Sequence, residues 1–478
     1  MSETLLAARS SSDRPPVILP LIVAVALLME QLDSTVVATA LPAMARSLGE
    51  HPLTMNVAMI SYLLSLAVFI PASGWLADRL GARDVFASAI TVFTFSSLLC
   101  GLAQNLPEMV AARVLQGMGG AMMTPVGRLV LLRAVSKSQL VQAMSYVTIP
   151  ALVGPAIGPL VGGFIATYSS WRWIFFINLP IGLIGVALAL RVVPNLRQPQ
   201  PGPADVRGLL LTGLGLGSLA FALDNLGRGA LPAWSEAVAA AFALLCLALF
   251  ARHARRAPRP AVDLGLLGIA TYRASVLGGN CFRMAIGGSP FLLPLLFQLG
   301  FGLSPFQSGS LTFAGAVGAM GMKAVAPPIV RRFGFRGLLV GNGLISAASL
   351  AAYGLFRPSW PYAVIVGTLL LGGFFRSLQF TCINAIGYAD VPPERMSRAT
   401  SLSSAAQQLS LSMGVAIAAI LLAVVKPDHA RAGLAPVDFL PVFLAMAALS
   451  LLSLPFFLRL PADAGQEVSR ADRRRAPK

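Results

Sequence analysis

Fourteen runs of about 18–28 mostly apolar residues follow one another along this chain of 478 residues. A helix needs about 20 such residues to cross the hydrocarbon core of a bilayer. In lipid every backbone amide must be satisfied within a helix or a closed barrel. The runs lack the period-two alternation of barrel strands, so an all-α membrane protein with 14 transmembrane helices is expected. The spans fall at 17–41, 56–77, 84–104, 108–131, 139–166, 173–193, 206–226, 234–252, 274–298, 308–330, 337–356, 361–388, 401–425 and 437–459. Composition agrees, since only 12% of residues are charged against about 25% in a soluble domain.

The net charge of +17 would suggest nucleic acid if the chain were soluble, but its distribution excludes that reading. With the N-terminus placed in the cytoplasm, 25 Lys and Arg residues fall on the inner side and 6 on the outer side. That bias is the positive-inside rule, and it expects both termini in the cytoplasm. The polar start, MSETLLAARSSSDRPP, reads as a cytoplasmic tail rather than a cleaved leader. The basic end reads as a contact for anionic lipid or a topology signal. The four cysteines lie in apolar spans without redox or metal-ligand spacing, and the three histidines fall at span ends or in loops.

The spans group as six, two and six. Residues 1–195 form an N-terminal six-helix bundle and residues 263–461 a C-terminal one. Residues 196–262 form a linker with two extra transmembrane helices, and 462–478 a basic tail. An internal repeat supports two similar bundles. GWLADRLGAR follows the second span and PPIVRRFGFR follows the tenth. Arg79, Gly81 and Arg83 align with Arg332, Gly334 and Arg336 at a constant offset of 253 residues. Repeats of this kind are expected where two halves rock around a central site.

Glu30 and Asp33 lie inside the first span. A carboxylate at the bilayer centre costs roughly 2.5–3.5 kcal/mol on insertion scales, so such a residue is a functional candidate by default. Three residues apart, the two lie near one helix face. Arg113 in the fourth span lies roughly 9 Å from the outer membrane end, and Asp33 roughly 13 Å, at about 1.5 Å of rise per residue. Their depths permit contact if the two helices are neighbours. A carboxyl that alternates between a cationic partner and a dry site changes its proton affinity. Asp33 with Arg113 is therefore read either as a proton-coupling pair or as a fixed structural ion pair, and Gln116, one turn below Arg113, is placed to hydrogen-bond the same site. Glu30 reads as a second proton site, a cation-recognition group or the partner of a basic side chain.

Several segments carry a family likeness. In GWLADRLGARD, Gly74 permits close helix approach and Gly81 a tight turn; Asp78, Arg79, Arg83 and Asp84 form a charged cluster suited to latching two bundles. This loop resembles the signature loop between helices two and three of the major facilitator superfamily. RVLQGMGGA, from Arg113, resembles the fourth-helix motif of its proton-coupled members, and ALVGPAIGPLVGG, from Ala151, the fifth-helix motif of its antiporters. LDSTVVATALP and WRWIFFINLPIG resemble segments of its fourteen-helix drug:proton antiporter family. The resemblance implies two six-helix bundles with a two-helix insertion, and adjacent first and fourth helices. It also implies proton-driven export of drugs or other small organic compounds across the bacterial plasma (inner) membrane. From the residues alone, Gly154, Gly158 and Gly162 share one helix face open to close packing, with Gly163 beside it. Pro155 bends that helix, as a pivot between bundles requires.

The second bundle brings positive charge. Arg283 and Arg376 lie near mid-depth, and Lys323 nearer the cytoplasmic end. Arg283 and Arg376 either neutralise Glu30 and Asp33 across a central cavity or bind an anionic substrate. With Gln116, Gln298 and Gln379 they are the substrate-cavity candidates. No phosphate-binding Gly-Lys motif, metal-ligand set or nucleophile–base pair is found, and no loop exceeds about 20 residues. An enzyme is therefore not expected. The expected driving force is the proton gradient, with no cofactor. The partners are a small-molecule substrate, protons and the lipid bilayer, with no nucleic acid. The chain is expected to act as a monomer, and a periplasmic adaptor protein is left open. The alternative function is uptake or facilitated passage of an organic anion or metabolite.

Overall fold

The computed structural model describes residues 18–134, 154, 157–195, 197, 205–226, 233–257, 263–392, 395–425, 433–461 and 464. Every regular element among them is helical. Pro155 and nearly all of the basic tail lie outside the described residues.

The helices, in chain order, are α1 Ile18–Leu48, α2 Thr54–Leu80, α3 Ala82–Leu102, α4 Leu106–Ala134, α5 Ile157–Tyr168 and α6 Trp173–Val192. The hairpin α7 Val206–Leu226 and α8 Ala233–Ala254 follows. Then come α9 Ala270–Gly300, α10 Pro305–Tyr353, α11 Tyr362–Ala389, α12 Met396–Val425 and α13 Pro436–Leu458. Ten helices among the described residues are long and apolar enough to cross a membrane. The chain is therefore a multi-pass membrane protein. The 29 residues of α4 are diluted by Glu108, Arg113, Gln116, Arg128 and Arg133, as suits a helix with a polar inner face.

Local chemistry sets the helix ends. α1 runs past its expected end at residue 41, through Pro42, to Leu48. Gly49 then stops it with φ of 70°, the left-handed residue that often closes a helix. α10 opens on a capping box, Ser304 with Gln307, and has Pro305 in its first turn. Two spans were expected across α10; they form one 49-residue element broken at Gly334 alone, where φ is 69° and ψ 164°. Gly81, its aligned counterpart between α2 and α3, has φ of 105° and ψ of 136°. Both repeat glycines thus occupy backbone regions that a side chain disfavours.

Within the first six helices, α4 packs on α1, α2 and α3, while α6 packs on α1 and α3. In the last five, α10 packs along α11 and α13, and α9 on α12 and α13. The α7–α8 hairpin lies outside, with α7 touching α2 and α12. Burial reveals an asymmetry along the membrane axis. One continuous core joins residues 36–60 of α1 and α2 to α9, α10, α12 and α13. At the other end the halves have separate cores, one around Leu19, Phe86 and Val130 and one around Phe250, Tyr272 and Leu402. The halves share one core where α1 ends, and α12 follows α2 from there as far as Ile70–Ala72.

Candidate functional site

Asp33 and Arg113 meet in the middle of the first-half helices. Each is only 1% exposed. Arg113 donates from Nη1 to Asp33 Oδ2 at 2.5 Å and to Gln116 Oε1 at 2.6 Å, and from Nε to the Ala58 carbonyl at 2.9 Å. Its guanidinium lies 4.2 Å from the centre of the Tyr62 ring. Gln116 Nε2 donates to Asp33 Oδ1 at 2.9 Å and to Ser97 Oγ at 2.8 Å. Asn178 Nδ2 reaches the same two oxygens at 3.4 and 3.3 Å. Five helices, α1, α2, α3, α4 and α6, thus contribute to one polar network around the Asp33–Arg113 pair.

The arrangement has a chemical consequence. The Asp33 carboxylate is met by one cation and two amides. Adding a proton to Asp33 removes the negative charge that balances Arg113. A buried charge without its partner is costly, so protonation of Asp33 favours another arrangement of these helices.

Glu30 is buried and accepts a hydrogen bond from the Thr124 hydroxyl of α4. Arg128 follows Thr124 by one helical turn on α4. The expected pairing of Glu30 or Asp33 with Arg283 or Arg376 is not found among the described residues. Both acids are satisfied from α4, whose Gln116, Thr124 and Arg128 recur every four or eight residues along one face. Thr124, Tyr62, Ser97 and Asn178 were not singled out from sequence. A signal existed for Asn178, a lone amide in the apolar run IFFINLPIG.

In the second half, Arg283 of α9 is fully buried. Nη2 donates to Asn384 Oδ1 at 2.8 Å, and Nη1 to Asn280 Oδ1 at 3.4 Å and to the Ser275 carbonyl at 3.5 Å. Arg376 is half-buried. Two further cavity candidates make hydrogen bonds between helices. Gln379 is fully buried and bridges α11 to α10 through the Leu339 carbonyl and Asn342. Gln298 donates to the Thr39 carbonyl at 2.8 Å and so stitches α9 to α1. Gln116 belongs to the Asp33 network.

The fifth-helix glycines lie against α1 in register. A Cβ on Gly154 would stand 3.0 Å from Gln31 Cβ, one on Gly158 would fall on the Thr35 hydroxyl, and one on Gly162 on that of Thr39. Gly163 points to the other half, where a Cβ would strike the Pro305 carbonyl of α10. Gly309 of α10 in turn faces the Pro159 carbonyl. Beside this crossing the Phe306 amide donates to Thr167 Oγ1 at 2.9 Å.

In the charged loop, Asp84 accepts from Arg83 Nε at 3.1 Å, Asn195 Nδ2 at 2.8 Å and Arg197 Nη2 at 3.1 Å. These bonds tie α3 to the segment after α6, within one half. A Cβ on Gly81 would collide with Asn195 and Arg197, whereas Gly74 faces open space. Arg79 stacks over Trp75 at 5.2 Å, and Asp78 is half-buried beside it.

Comparison with known proteins agrees with this architecture. The sequence profile described as Major Facilitator Superfamily matches residues 23–415 and, in an overlapping match, 276–478. A putative multidrug resistance protein MdtD of Citrobacter koseri is 40% identical over 95% of this chain and 97% of its own length. Its counterpart in Klebsiella pneumoniae is 41% identical over 94% and 95%. The crystal structure of a D-xylose-proton symporter superposes with a TM-score of 0.68 at 16% identity, covering 94% of this chain and 98% of that one. A POT family peptide transporter gives 0.66 at 15% identity over 97% of each; at such identities the likeness concerns the fold. This chain belongs to the Major Facilitator Superfamily of membrane transporters.

Proposed function

We propose that the chain is a proton-coupled antiporter that exports drugs or other small organic compounds by alternating access. The observation that carries this reading is the buried Asp33 carboxylate, balanced by Arg113 and bound by amides from α4 and α6. Such a group cannot change protonation without disturbing the helices around it. The relatives named as putative multidrug resistance proteins support export of organic compounds.

In this reading α1–α6 and α9–α13 are the two moving bundles. The two limbs of α10 on either side of Gly334 are separate spans, which brings the count to 14 with the α7–α8 hairpin. Both termini lie in the cytoplasm and the protein resides in the bacterial inner membrane. The end at which the halves share one core then faces the outside. A proton arriving from outside neutralises Asp33 when the outer seam opens. Its release to the cytoplasm restores the ion pair with Arg113 as substrate is exchanged. The proton gradient supplies the driving force without a cofactor, and a single chain suffices for the cycle.

The test is transport in everted vesicles that carry either the wild-type chain or Asp33→Asn. The wild type should accumulate substrate dyes on energisation, and the variant, although less stable because Arg113 loses its partner, should reach the membrane but not accumulate them. Accumulation by the variant at the wild-type rate would remove Asp33 as the proton carrier.

A further inference from the structure

The two halves differ in internal charge. In the first half, the span residues Glu30 and Asp33 are matched in number by Arg113 and Arg128, and Asp33 bonds Arg113. In the second, the sequence has no acidic residue from Ala270 to Ala389, yet Arg283, Lys323 and Arg376 lie well inside its helices. Each cation's surroundings among the described residues are neutral. Arg283 donates only to Asn384, Asn280 and the Ser275 carbonyl, and its Nε is buried without a partner. Lys323 Nζ donates to Thr381 Oγ1 at 3.0 Å.

These groups are all carried by or attached to α11 between residues 376 and 384. Arg376, Phe380 and Asn384 follow at four-residue spacing on α11, so they lie along one face. Arg283 of α9 stands 5.9 Å from the Phe380 ring and bonds Asn384. Lys323 of α10 is exposed and reaches the neighbouring turn of α11. Asn384 is itself exposed, whereas the guanidinium behind it is sealed. The Asn384 carbonyl oxygen thus occupies a position on Nη2 that a carboxylate would fill more strongly, because it adds the opposite charge and a second acceptor for the guanidinium fork. Asn384 can swing into solvent to make room. Phe282 packs edge-on against Phe380 at 5.7 Å, giving an apolar wall beside the cations.

We propose that Arg283, Lys323 and Asn384, with Phe380 as the apolar wall, form a subsite for the anionic group of an organic substrate, so that the cargo is an aromatic or apolar carboxylate rather than a simple cation. The inference rests on the transport reading above and adds the charge of the cargo. The anion supplies the negative charge that the second half lacks, and the guanidinium supplies the planar donor set suited to a carboxylate.

The purified full chain in detergent micelles tests this by thermal unfolding with three ring compounds of matched size: benzoate, benzyl alcohol and benzyltrimethylammonium. Benzoate should raise the unfolding temperature in a saturable manner, and the neutral and cationic compounds should not. Arg283→Gln should raise the half-saturating benzoate concentration at least tenfold, and Arg283→Lys by less. Lys323→Gln, at an exposed position, should raise it at least threefold and carries the comparison should Arg283→Gln not fold. Asp33→Asn should keep the benzoate shift while losing proton-driven transport, so failure of the subsite and failure of the coupling read separately. The subsite is overturned by no benzoate shift, by a larger shift with the cation, or by equal half-saturation in the wild type and the folded Arg283 and Lys323 variants.

Discussion

Arg113 Nη1 lies 2.5 Å from Asp33 Oδ2, and neither side chain is appreciably reached by solvent. The pair is therefore a buried charge balance rather than a surface contact. Removing one member of such a pair is strongly destabilising, by about 3–5 kcal/mol, because the other is left uncompensated; removing both together is far less so. Arg113→Ala should accordingly unfold at lower temperature than Asp33→Asn/Arg113→Gln, which keeps the polar shapes without either charge. Unfolding curves of the purified variants in micelles measure the difference. Equal losses in the two would mean that Arg113 stabilises through its stacking on Tyr62 and its bond to the Ala58 carbonyl rather than through charge.

Glu30 and Asp33 have separate surroundings. Asp33 engages Arg113, Gln116 and Asn178, whereas Glu30 engages Thr124. Glu30→Gln keeps a hydrogen-bonding partner for Thr124 and leaves the Arg113 network untouched. It should retain proton-coupled transport within about tenfold of wild type, since a neutral hydrogen bond of this kind contributes only about 0.5–1.5 kcal/mol. Proton release on substrate addition to energised vesicles separates the two acids. Loss as complete in Glu30→Gln as in Asp33→Asn would join them into one site.

Much of this architecture is legible in the sequence, for identifiable reasons. Span length and apolarity follow from bilayer thickness, so the helices can be read directly. The Asp33–Arg113 pair follows from similar depth on two helices that the family resemblance makes neighbours. The fifth-helix face follows from four-residue glycine spacing, and the contacts of Gly154, Gly158 and Gly162 with Gln31, Thr35 and Thr39 have the same period. Partners that depend on helix rotation are not legible. Glu30 is satisfied by a hydroxyl, which carries no charge signal, so sequence reasoning looks for a distant arginine instead of Thr124. Gln379 and Gln298 look like cavity residues because they are polar in a span. Their amides are taken by the Leu339 and Thr39 carbonyls, and only the azimuth of each helix reveals that.

The closed end of the molecule is held by backbone approach between α5 and α10, where the Phe306 amide donates to Thr167 Oγ1 at 2.9 Å. A transporter that alternates access must part this seam once per cycle. Thr167→Cys with Phe306→Cys, in a chain whose four native cysteines are replaced, should cross-link on mild oxidation. Transport should fall to background and return on reduction. Cross-linking that leaves transport unchanged would show that the seam stays closed throughout the cycle.

The glycines of α5 divide into two groups with different expected effects. A Cβ at Gly158 or Gly162 meets α1 within the first half, while one at Gly163 meets the Pro305 carbonyl of the second half. Overpacking inside a well-packed contact costs typically about 1–3 kcal/mol. Gly158→Ala and Gly162→Ala should therefore lower the unfolding temperature, with the larger loss where backbone as well as side chain is met, at Gly162, whose Cβ would meet the Val36 carbonyl at 2.5 Å. Gly154→Ala, with 3.0 Å to the nearest atom, should cost least of the three. Gly163→Ala acts across the seam, so it penalises the closed arrangement and not the fold of either half. Its signature should be a lower yield of the Thr167–Phe306 cross-link with a nearly unchanged unfolding temperature. Should Gly163→Ala instead unfold like Gly162→Ala with its cross-link yield intact, the seam is part of the static core and the pivot lies elsewhere.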